Sequence, residues 1–396
     1  MAEDLATVEK TVGWRGDGTG RYPDAQPPAT WDVDSGKNVL WRTKVGRGQS
    51  TPVVAGDRVF LAAEPDLLTC IDLASGKILW SEANAVAALP PEVKRPEAKP
   101  PTAEGCGYST PTPVVDGKFV YAVYGTGIAA CYDRQGHRRW IRYLALPQIT
   151  QYGRSASPVL AGGKLLVSLS GLTALDPRTG DVVWDAPEAR SSYGTPVVTR
   201  TGDVEVAITP GGDCVRVADG RILARKLAAT MKYVSPVLDA GVVFFVDSTT
   251  VALRLPAQPG ETIRPEKVWE SDDVEGELFA SPVCHEGLIY CVSNEDVLYA
   301  MEAASGKLAY KKELEIRSAG GKAGGEPANL YPSITLAGNF LLVSNDAGEM
   351  LVLAPGREYK QIARNSLDKG SGASPVPCGS RLLLRSGASL VCIGSR

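Results

Sequence analysis

The sequence predicts an all-β fold, an eight-bladed β-propeller of four-stranded antiparallel blades, and three observations predict it. A phrase of the form Asp-x-x-Thr/Ser-Gly, followed by an aromatic residue, recurs along the 396 residues, as at positions 176–184. A second phrase, close to Ser-Pro-Val-Val-x-Gly, stands upstream of each copy. Short apolar runs bounded by turn residues fill the intervals, without a convincing long amphipathic helix. Phrases that return at long, regular intervals are typical of closed repeat architectures.

The upstream phrase counts the blades. Its eight versions are separated by 38 to 61 residues, close to the roughly 40–50 residues per unit of propeller repeats. Each version predicts one strand, a turn and a second strand. The Asp-x-x-Thr/Ser-Gly phrase predicts the hairpin between a third and a fourth strand, because Asp, Ser and Thr bond nearby backbone and Gly tolerates positive φ. The versions begin at Pro52, Pro113, Pro158, Pro196, Pro236, Pro282, Ile334 and Pro375.

The two ends of the sequence predict how the propeller closes. After Pro375, 21 residues remain, enough for three strands. Residues 38–43 resemble an outer strand carrying Trp41, but no blade precedes them. We expect this N-terminal strand to pair with the last blade and remove its exposed edge. The expected organisation is a lead-in of residues 1–37 that packs on a propeller of residues 38–396. A Pro-rich insertion, residues 81–107, is expected between blades 1 and 2.

Together the two phrases resemble the tryptophan-docking repeat of the PQQ-like (quinoprotein) propellers. This family includes PQQ-dependent alcohol dehydrogenases and the non-catalytic, BamB-like outer-membrane assembly factors. The resemblance covers roughly residues 38–396 and implies that the aromatic residue of one blade packs against the next blade. It gives this role to Trp41, Trp80, Trp140, Trp184 and Trp269, with Tyr310 replacing Trp once. The copies near Asp219 and Gly356 have degenerated.

The resemblance also says what a catalytic member should carry. Dehydrogenases of the family are expected to have an adjacent Cys-Cys pair over the cofactor, acidic and Asn ligands for calcium or a lanthanide, a catalytic Asp, and often a Cys-x-x-Cys-His haem site. The sequence contains neither adjacent cysteines nor Cys-x-x-Cys-His. We therefore carry over no catalytic, cofactor-binding or metal-binding residue. An enzyme is left open but not favoured, and PQQ with calcium stays a minor alternative.

Four of the eight cysteines are interpreted as small apolar residues of the blades, because they occupy a third-strand position that holds Ala in other blades: Cys70, Cys131, Cys214 and Cys392. Cys106 lies in a loop and is expected to be the most exposed. The geometry of adjacent strands would allow two cross-strand disulfides, Cys284–Cys291 and Cys378–Cys392, and the sequence does not decide whether they form. The two histidines have no ligand-spaced partner. The glycine-rich run at 13–20 looks like a phosphate loop, but no strand precedes it and no helix follows it, so we interpret it as part of the lead-in.

The candidate site is one mouth of the axial channel, since the connectors that enter the innermost strands should line it. These connectors carry aromatic residues with some regularity, together with charges of both signs. One interpretation is that the rings fill the neck between blades, and the other is that they bind a peptide, an extended partner strand or a sugar. The candidates are Tyr108, Tyr152, Arg154, Tyr193, Lys232, Tyr233, Glu277, Phe279, Glu326 and Tyr331.

The expected function is a non-catalytic binding scaffold, BamB-like, that presents this mouth or its blade edges to protein partners. The alternatives are a degenerate PQQ-dependent dehydrogenase and a carbohydrate-binding or carbohydrate-active propeller. The last would need carboxylates such as Glu277 and Glu326 within catalytic reach of each other. A net charge of −3 without a dense basic run argues against nucleic acid. No apolar stretch is long enough to span a membrane, and we expect a monomer in the cell envelope or periplasm.

Overall fold

The computed structural model describes residues 11–93, 95–96, 102, 106–144, 150–169, 171–317 and 327–395. Within these ranges the chain forms 33 β-strands, a single 3-10 turn at Val86–Ala88 and no α-helix. The strands assemble into eight antiparallel sheets, seven of four strands and one to which a fifth strand is added. The predicted eight-bladed propeller is confirmed.

Two strands, β1 (Arg21–Tyr22) and β2 (Val39–Lys44), precede the first blade. Blades 1 to 4 follow in chain order as β3 (Val53–Ala55), β4 (Arg58–Ala63), β5 (Leu67–Asp72), β6 (Ile78–Ala83); β7 (Val114–Val115), β8 (Phe119–Val123), β9 (Ile128–Asp133), β10 (Arg138–Tyr143); β11 (Val159–Ala161), β12 (Lys164–Ser168), β13 (Leu172–Leu175), β14 (Val182–Ala186); β15 (Val197–Thr201), β16 (Val204–Ile208), β17 (Cys214–Arg216) and β18 (Ile222–Ala224).

Blades 5 to 8 repeat the same order. They are β19 (Val237–Asp239), β20 (Val242–Phe245), β21 (Thr250–Arg254), β22 (Glu266–Ser271); β23 (Val283–His285), β24 (Leu288–Val292), β25 (Val297–Glu302), β26 (Leu308–Glu313); β27 (Thr335–Ala337), β28 (Phe340–Ser344), β29 (Glu349–Ala354), β30 (Lys360–Ser366); β31 (Val376–Cys378), β32 (Arg381–Ser386) and β33 (Ser389–Gly394). First strands of neighbouring blades contact one another, which places them innermost, around the axis.

The closing strand is where the sequence predicts it. The strand β2 pairs antiparallel with β33, with Trp41 opposite Cys392, and supplies the fourth strand of blade 8. Blade 8 thus joins the two ends of the chain and leaves no half-built sheet. The strand β6 continues to Ala83, so the first three residues assigned to the Pro-rich insertion belong to blade 1. In the described part of that insertion, Leu89 is buried between blades 1 and 2.

The repeated Trp joins each blade to the next one. Its indole Nε1 donates a hydrogen bond to a backbone carbonyl of the following blade, at 2.8–3.0 Å from the oxygen. A buried indole N–H needs such a partner, and here the partner fixes the blade spacing. The pairs are Trp41 with Leu73, Trp80 with Arg134, Trp140 with Pro177, Trp184 with Val217, and Trp269 with Ala303.

The Gly of the Asp-x-x-Thr/Ser-Gly phrase is the other half of this contact. Gly76 has φ +72°, and a Cβ built on it would lie 2.5 Å from the ring of Trp41 in blade 8. Four more repeats show the same approach, from Gly136, Gly180, Gly220 and Gly306. Blades 4 and 7 have lost the Trp: Ala224 and Ala363 stand opposite the third strand there. In blade 6, Tyr310 instead meets Tyr359 edge-on, with ring centroids 6.4 Å apart.

Four of the cysteines occupy the small-residue position that the sequence predicts. Cys70, Cys131 and Cys392 each lie directly opposite a docking Trp, and burial raises the pKa of these thiols to about 12. All eight cysteines are free, so neither of the two open disulfides forms. Cys284 faces Ile289 rather than Cys291. The strand β32 separates Cys378 on β31 from Cys392 on β33.

Candidate functional site

A ring of hydroxyl groups positions the connectors that enter the innermost strands. The residue before each upstream phrase is Ser or Thr. In seven of the eight, its backbone N–H donates to the hydroxyl oxygen of the equivalent residue in the next blade, at 2.8–3.3 Å. Seven consecutive links run through Thr112, Ser157, Thr195, Ser235, Ser281, Ser333, Ser374 and Thr51, all buried. Buried backbone donors need such partners, so the ring holds the neck of the channel in one geometry.

Five aromatic side chains from successive connectors meet above this ring. We call them the aromatic cluster: Tyr152, Tyr193, Tyr233, Phe279 and Tyr331, which lead into blades 3 to 7. Ring centroids of consecutive members lie 6.0, 5.3, 4.8 and 5.4 Å apart. Tyr152 also lies 6.5 Å from Tyr233, two blades away, so the rings converge towards the axis. The structure therefore brings together five of the predicted site residues.

The members of the cluster differ in how far they are buried, which bears on the two roles that the sequence left open. Tyr193 is 8% exposed, its ring stacks on Tyr233, and its hydroxyl accepts a hydrogen bond from the Tyr152 backbone N–H. This member packs the neck. At the two ends of the cluster, Tyr152 and Tyr331 are 39% and 45% exposed. Large rings held in place by neighbouring rings and still open to solvent form a preorganised apolar surface.

Charges of both signs flank the cluster. The Lys232 Nζ lies 4.7 Å from the centroid of the Tyr233 ring, a cation–π geometry. A hydrogen bond with Tyr233 raises the pKa of Lys232, and the nearby Glu277 carboxylate adds to the effect. Both Lys232 and Glu277 are exposed. The lysine therefore stays protonated at neutral pH, and the rim offers one cation and one anion beside the rings.

Two of the predicted residues that the structure describes, Arg154 and Tyr108, do not join the cluster. Arg154 is 4% exposed, and its Nη1 donates to the Ser168 carbonyl at 2.8 Å, so it braces blade 3 rather than facing solvent. Burial lowers the pKa of its guanidinium to about 10. Tyr108 lies on the connector into blade 2, where its backbone N–H donates to the Glu64 carboxylate. Glu326 lies outside the described residues.

Blades 1 and 8 lack an aromatic residue at the mouth, and a glutamine fills the gap. Gln49, on the connector into blade 1, accepts a hydrogen bond from the Gly372 backbone N–H on the connector into blade 8. The Ser371 hydroxyl donates to the same amide oxygen at 3.1 Å. This bridge was missed at the sequence level, as was the hydroxyl ring, although a Ser or Thr before every upstream phrase is a visible signal for the ring.

The residues of the mouth do not fit the calcium–quinone site that the resemblance implies for dehydrogenases. Across the described ranges, no three His, Cys, Asp or Glu side chains stand close enough to hold a metal ion. The sequence has no adjacent cysteines to cover a quinone. We derive no chemical step through such a cofactor.

None of the described helices is long and apolar enough to cross a membrane.

A closed propeller of eight blades, docked by Trp of one blade on Gly of the next, is a PQQ-like repeat propeller. Residues 30–265, more than half of the chain, match the family described as outer membrane protein assembly factor BamB. The chain belongs to that family. No curated protein matches it significantly.

Three solved structures show the same fold at low sequence identity. BamB from Moraxella catarrhalis superposes with a TM-score of 0.61 and 14% identity, over 90% of this chain and 98% of that one. The computationally designed protein Ika8 gives 0.60 and 9%, over 90% and 98%. The quinohemoprotein alcohol dehydrogenase from Comamonas testosteroni gives 0.59 and 12%, over 97% and 80%. At such identities the likeness establishes the fold alone.

Proposed function

We propose that this protein is a non-catalytic scaffold that presents the aromatic cluster to a protein partner in the cell envelope. The observation that carries the proposal is the exposure of Tyr152 and Tyr331, 39% and 45%, within a cluster of packed rings. Rigid, exposed tyrosines lose little conformational entropy when they are covered, and they are frequent anchors of protein interfaces. The family's description as an outer membrane protein assembly factor supports a protein partner and this location.

The charges beside the aromatic cluster limit which partner surfaces could bind to it. Lys232 and Glu277 lie on the connectors into blades 5 and 6, next to the apolar rings. A partner that covers the rings with aliphatic or aromatic side chains and pairs with both charges would be held in one orientation. An extended protein segment with alternating apolar and charged residues meets these conditions. Rim charges of this kind select the partner more than they strengthen its binding.

Site-specific photo-crosslinking in cells tests the proposal. A photoreactive amino acid replaces Tyr331 in one variant and Ile362 in another. The two side chains are matched in exposure, 45% and 43%, but Ile362 lies on the outer strand β30 of the same blade. We expect a discrete protein adduct from position 331 and none from position 362, because a crosslinker at the mouth lies within the interface. A Lys232→Glu substitution should reduce the yield at position 331.

Two results would contradict the proposal. One is an adduct that forms from position 362 and not from position 331, which would move the partner to the blade edge. The other is stoichiometric binding of PQQ with calcium, or of an oligosaccharide, detected as a ligand-dependent rise in the melting temperature of the purified protein. Binding of PQQ with calcium would favour the dehydrogenase alternative, and binding of an oligosaccharide would favour the carbohydrate alternative.

A further inference from the structure

Residues 11–26 cross the end of the axial channel that lies opposite the aromatic cluster. The Val12 backbone exchanges two hydrogen bonds with Val115, at 3.0 and 2.8 Å, where β7 turns into β8. The Gln26 N–H donates to the Gly379 carbonyl at 2.7 Å, where β31 turns into β32. Turns between first and second strands lie at the far end of those strands from the connectors. The segment therefore spans from blade 2 to blade 8 across the end of the channel opposite the aromatic cluster.

The segment is held mainly through backbone pairing with the innermost strands. Each first strand pairs with a second strand on one side, and its other edge faces the channel. The strand β1 adds to the free edge of β27 in parallel, with Arg21 opposite Leu336 and Tyr22 opposite Ala337. The Arg21 guanidinium also pairs with the Asp239 carboxylate of blade 5, 2.6 Å apart. Edge pairing of this type takes any extended segment whose side chains fit alternate pockets.

A buried arginine anchors the middle of the segment. Arg15 is 2% exposed, and its Nη2 donates to the carbonyls of Pro282 and Ile334 at 2.5 and 3.0 Å. These two residues directly follow Ser281 and Ser333 of the hydroxyl ring, so the guanidinium reaches up the channel to the ring. Within the described residues, its Nε and Nη1 have no hydrogen-bond partner, and no carboxylate forms an ion pair with it.

Burying Arg15 has two opposite effects on the stability of the segment: its hydrogen bonds stabilise the segment, and the removal of its charge from water destabilises it. Burial lowers the pKa of Arg15 to about 10, so the group remains charged at neutral pH and pays a desolvation penalty. Its Nε and Nη1, which carry three N–H bonds between them, have no hydrogen-bond partner within the described residues to offset that penalty. Spaces of about 200 and 380 Å³ also flank the segment, one beside Trp14 and Val197, the other beside Tyr22 and Val376. The segment therefore does not fill this end of the channel, and open space remains on both sides of it.

We propose that this end of the channel is a peptide-binding site, occupied in cis by residues 11–26, which also accepts an extended, arginine-bearing segment of a partner protein. The carbonyls of Pro282 and Ile334 would receive the partner's arginine, and the free edges of β7 and β27 would pair with its backbone. The site is separate from the aromatic cluster, and the proposal does not depend on the function of that surface.

A labelled peptide of residues 11–26 tests the proposal with the full-length protein. In the variant Gly20→Ala, a Cβ would lie 2.3 Å from the Arg15 Nη2 and push the guanidinium away from its two carbonyls, which weakens the hold of the cis segment. We expect the peptide to bind this variant at least tenfold more tightly than the wild type by fluorescence anisotropy, because the competing cis segment is weakened. Gly18→Ala is the matched control, since Gly18 also has positive φ but no atom within 4 Å of an added Cβ.

A second peptide, with Arg15→Ala, measures the role of the arginine and should bind at least tenfold more weakly than the native peptide. A protein variant carrying Arg15→Ala keeps the test open if Gly20→Ala does not fold. Equal binding of the two peptides, or no peptide binding by either folded variant, would overturn the proposal. The Gly20→Ala variant could also form a concentration-dependent dimer that the peptide dissociates. This result would contradict the proposal that a different protein occupies the site, because the occupant would then be a second copy of this chain.

Discussion

Replacing Trp140 by alanine is expected to lower the free energy of unfolding by about 3–5 kcal/mol, the range for truncating a buried Trp. The side chain is 6% exposed, its Nε1 donates to the Pro177 carbonyl at 2.9 Å, and its ring packs on Gly180 of blade 3. Truncation removes this burial, opens a cavity between blades 2 and 3 and leaves the carbonyl without its donor. Chemical denaturation followed by circular dichroism measures the loss.

Val182→Ala is the control for Trp140→Ala. Val182 is 58% exposed on the outer strand β14, so its truncation should change the free energy of unfolding by less than about 0.5 kcal/mol. A loss below about 1 kcal/mol for Trp140→Ala would show that the blades are held together by something other than this contact. The docking role that the resemblance implies would then be wrong for this chain.

Replacing Gly76 by alanine is expected to lower the free energy of unfolding by about 2–5 kcal/mol. Two effects add: a left-handed backbone costs a non-glycine residue about 1–2 kcal/mol, and overpacking costs about 1–3 kcal/mol. The first arises because Gly76 has φ +72°, and the second because the new Cβ would lie 2.5 Å from Trp41. Since Trp41 is on the closing strand β2, the damage falls where the chain ends meet. Thermal and chemical denaturation measure it.

Gly241→Ala separates these two effects. Gly241 has φ +76°, but an added Cβ there meets no atom within 4 Å, so the substitution carries the backbone cost alone. The difference between the two variants is the cost of pushing Trp41 away from blade 1. If both substitutions cost the same, the close approach of Gly76 to Trp41 would have no energetic weight.

The sequence was sufficient for the architecture because the information is local and repeated. The Asp-x-x-Thr/Ser-Gly phrase specifies a turn by itself, and its Gly and the Trp of the preceding blade are both visible without knowing that they touch. The closing strand could be predicted because Trp41 has the same context as the other docking residues. The position of the cysteines followed in the same way, since Cys70 and Cys131 stand where other blades have Ala.

The parts that could not be predicted depend on contacts between distant residues. The hydroxyl ring joins residues about one blade apart in sequence, such as Ser235 and Ser281, and a Ser before Pro gives no direction for its hydrogen bond. Arg154 was predicted at the mouth because it is charged, whereas its long side chain turns back to a carbonyl of blade 3. The path of residues 11–26 across the end of the channel depends on Arg15 meeting carbonyls of blades 6 and 7.

The affinity of the crosslinked partner for two matched variants tests the central claim most directly, that the aromatic cluster is the binding surface. With purified partner, Tyr331→Ala should raise Kd at least about tenfold, which corresponds to about 1.4 kcal/mol, as expected for an aromatic anchor. Ile362→Ala, of nearly equal exposure on the outer strand of the same blade, should leave Kd unchanged. An unchanged Kd for Tyr331→Ala together with a loss for Ile362→Ala would contradict the claim and assign the interface to the blade edge.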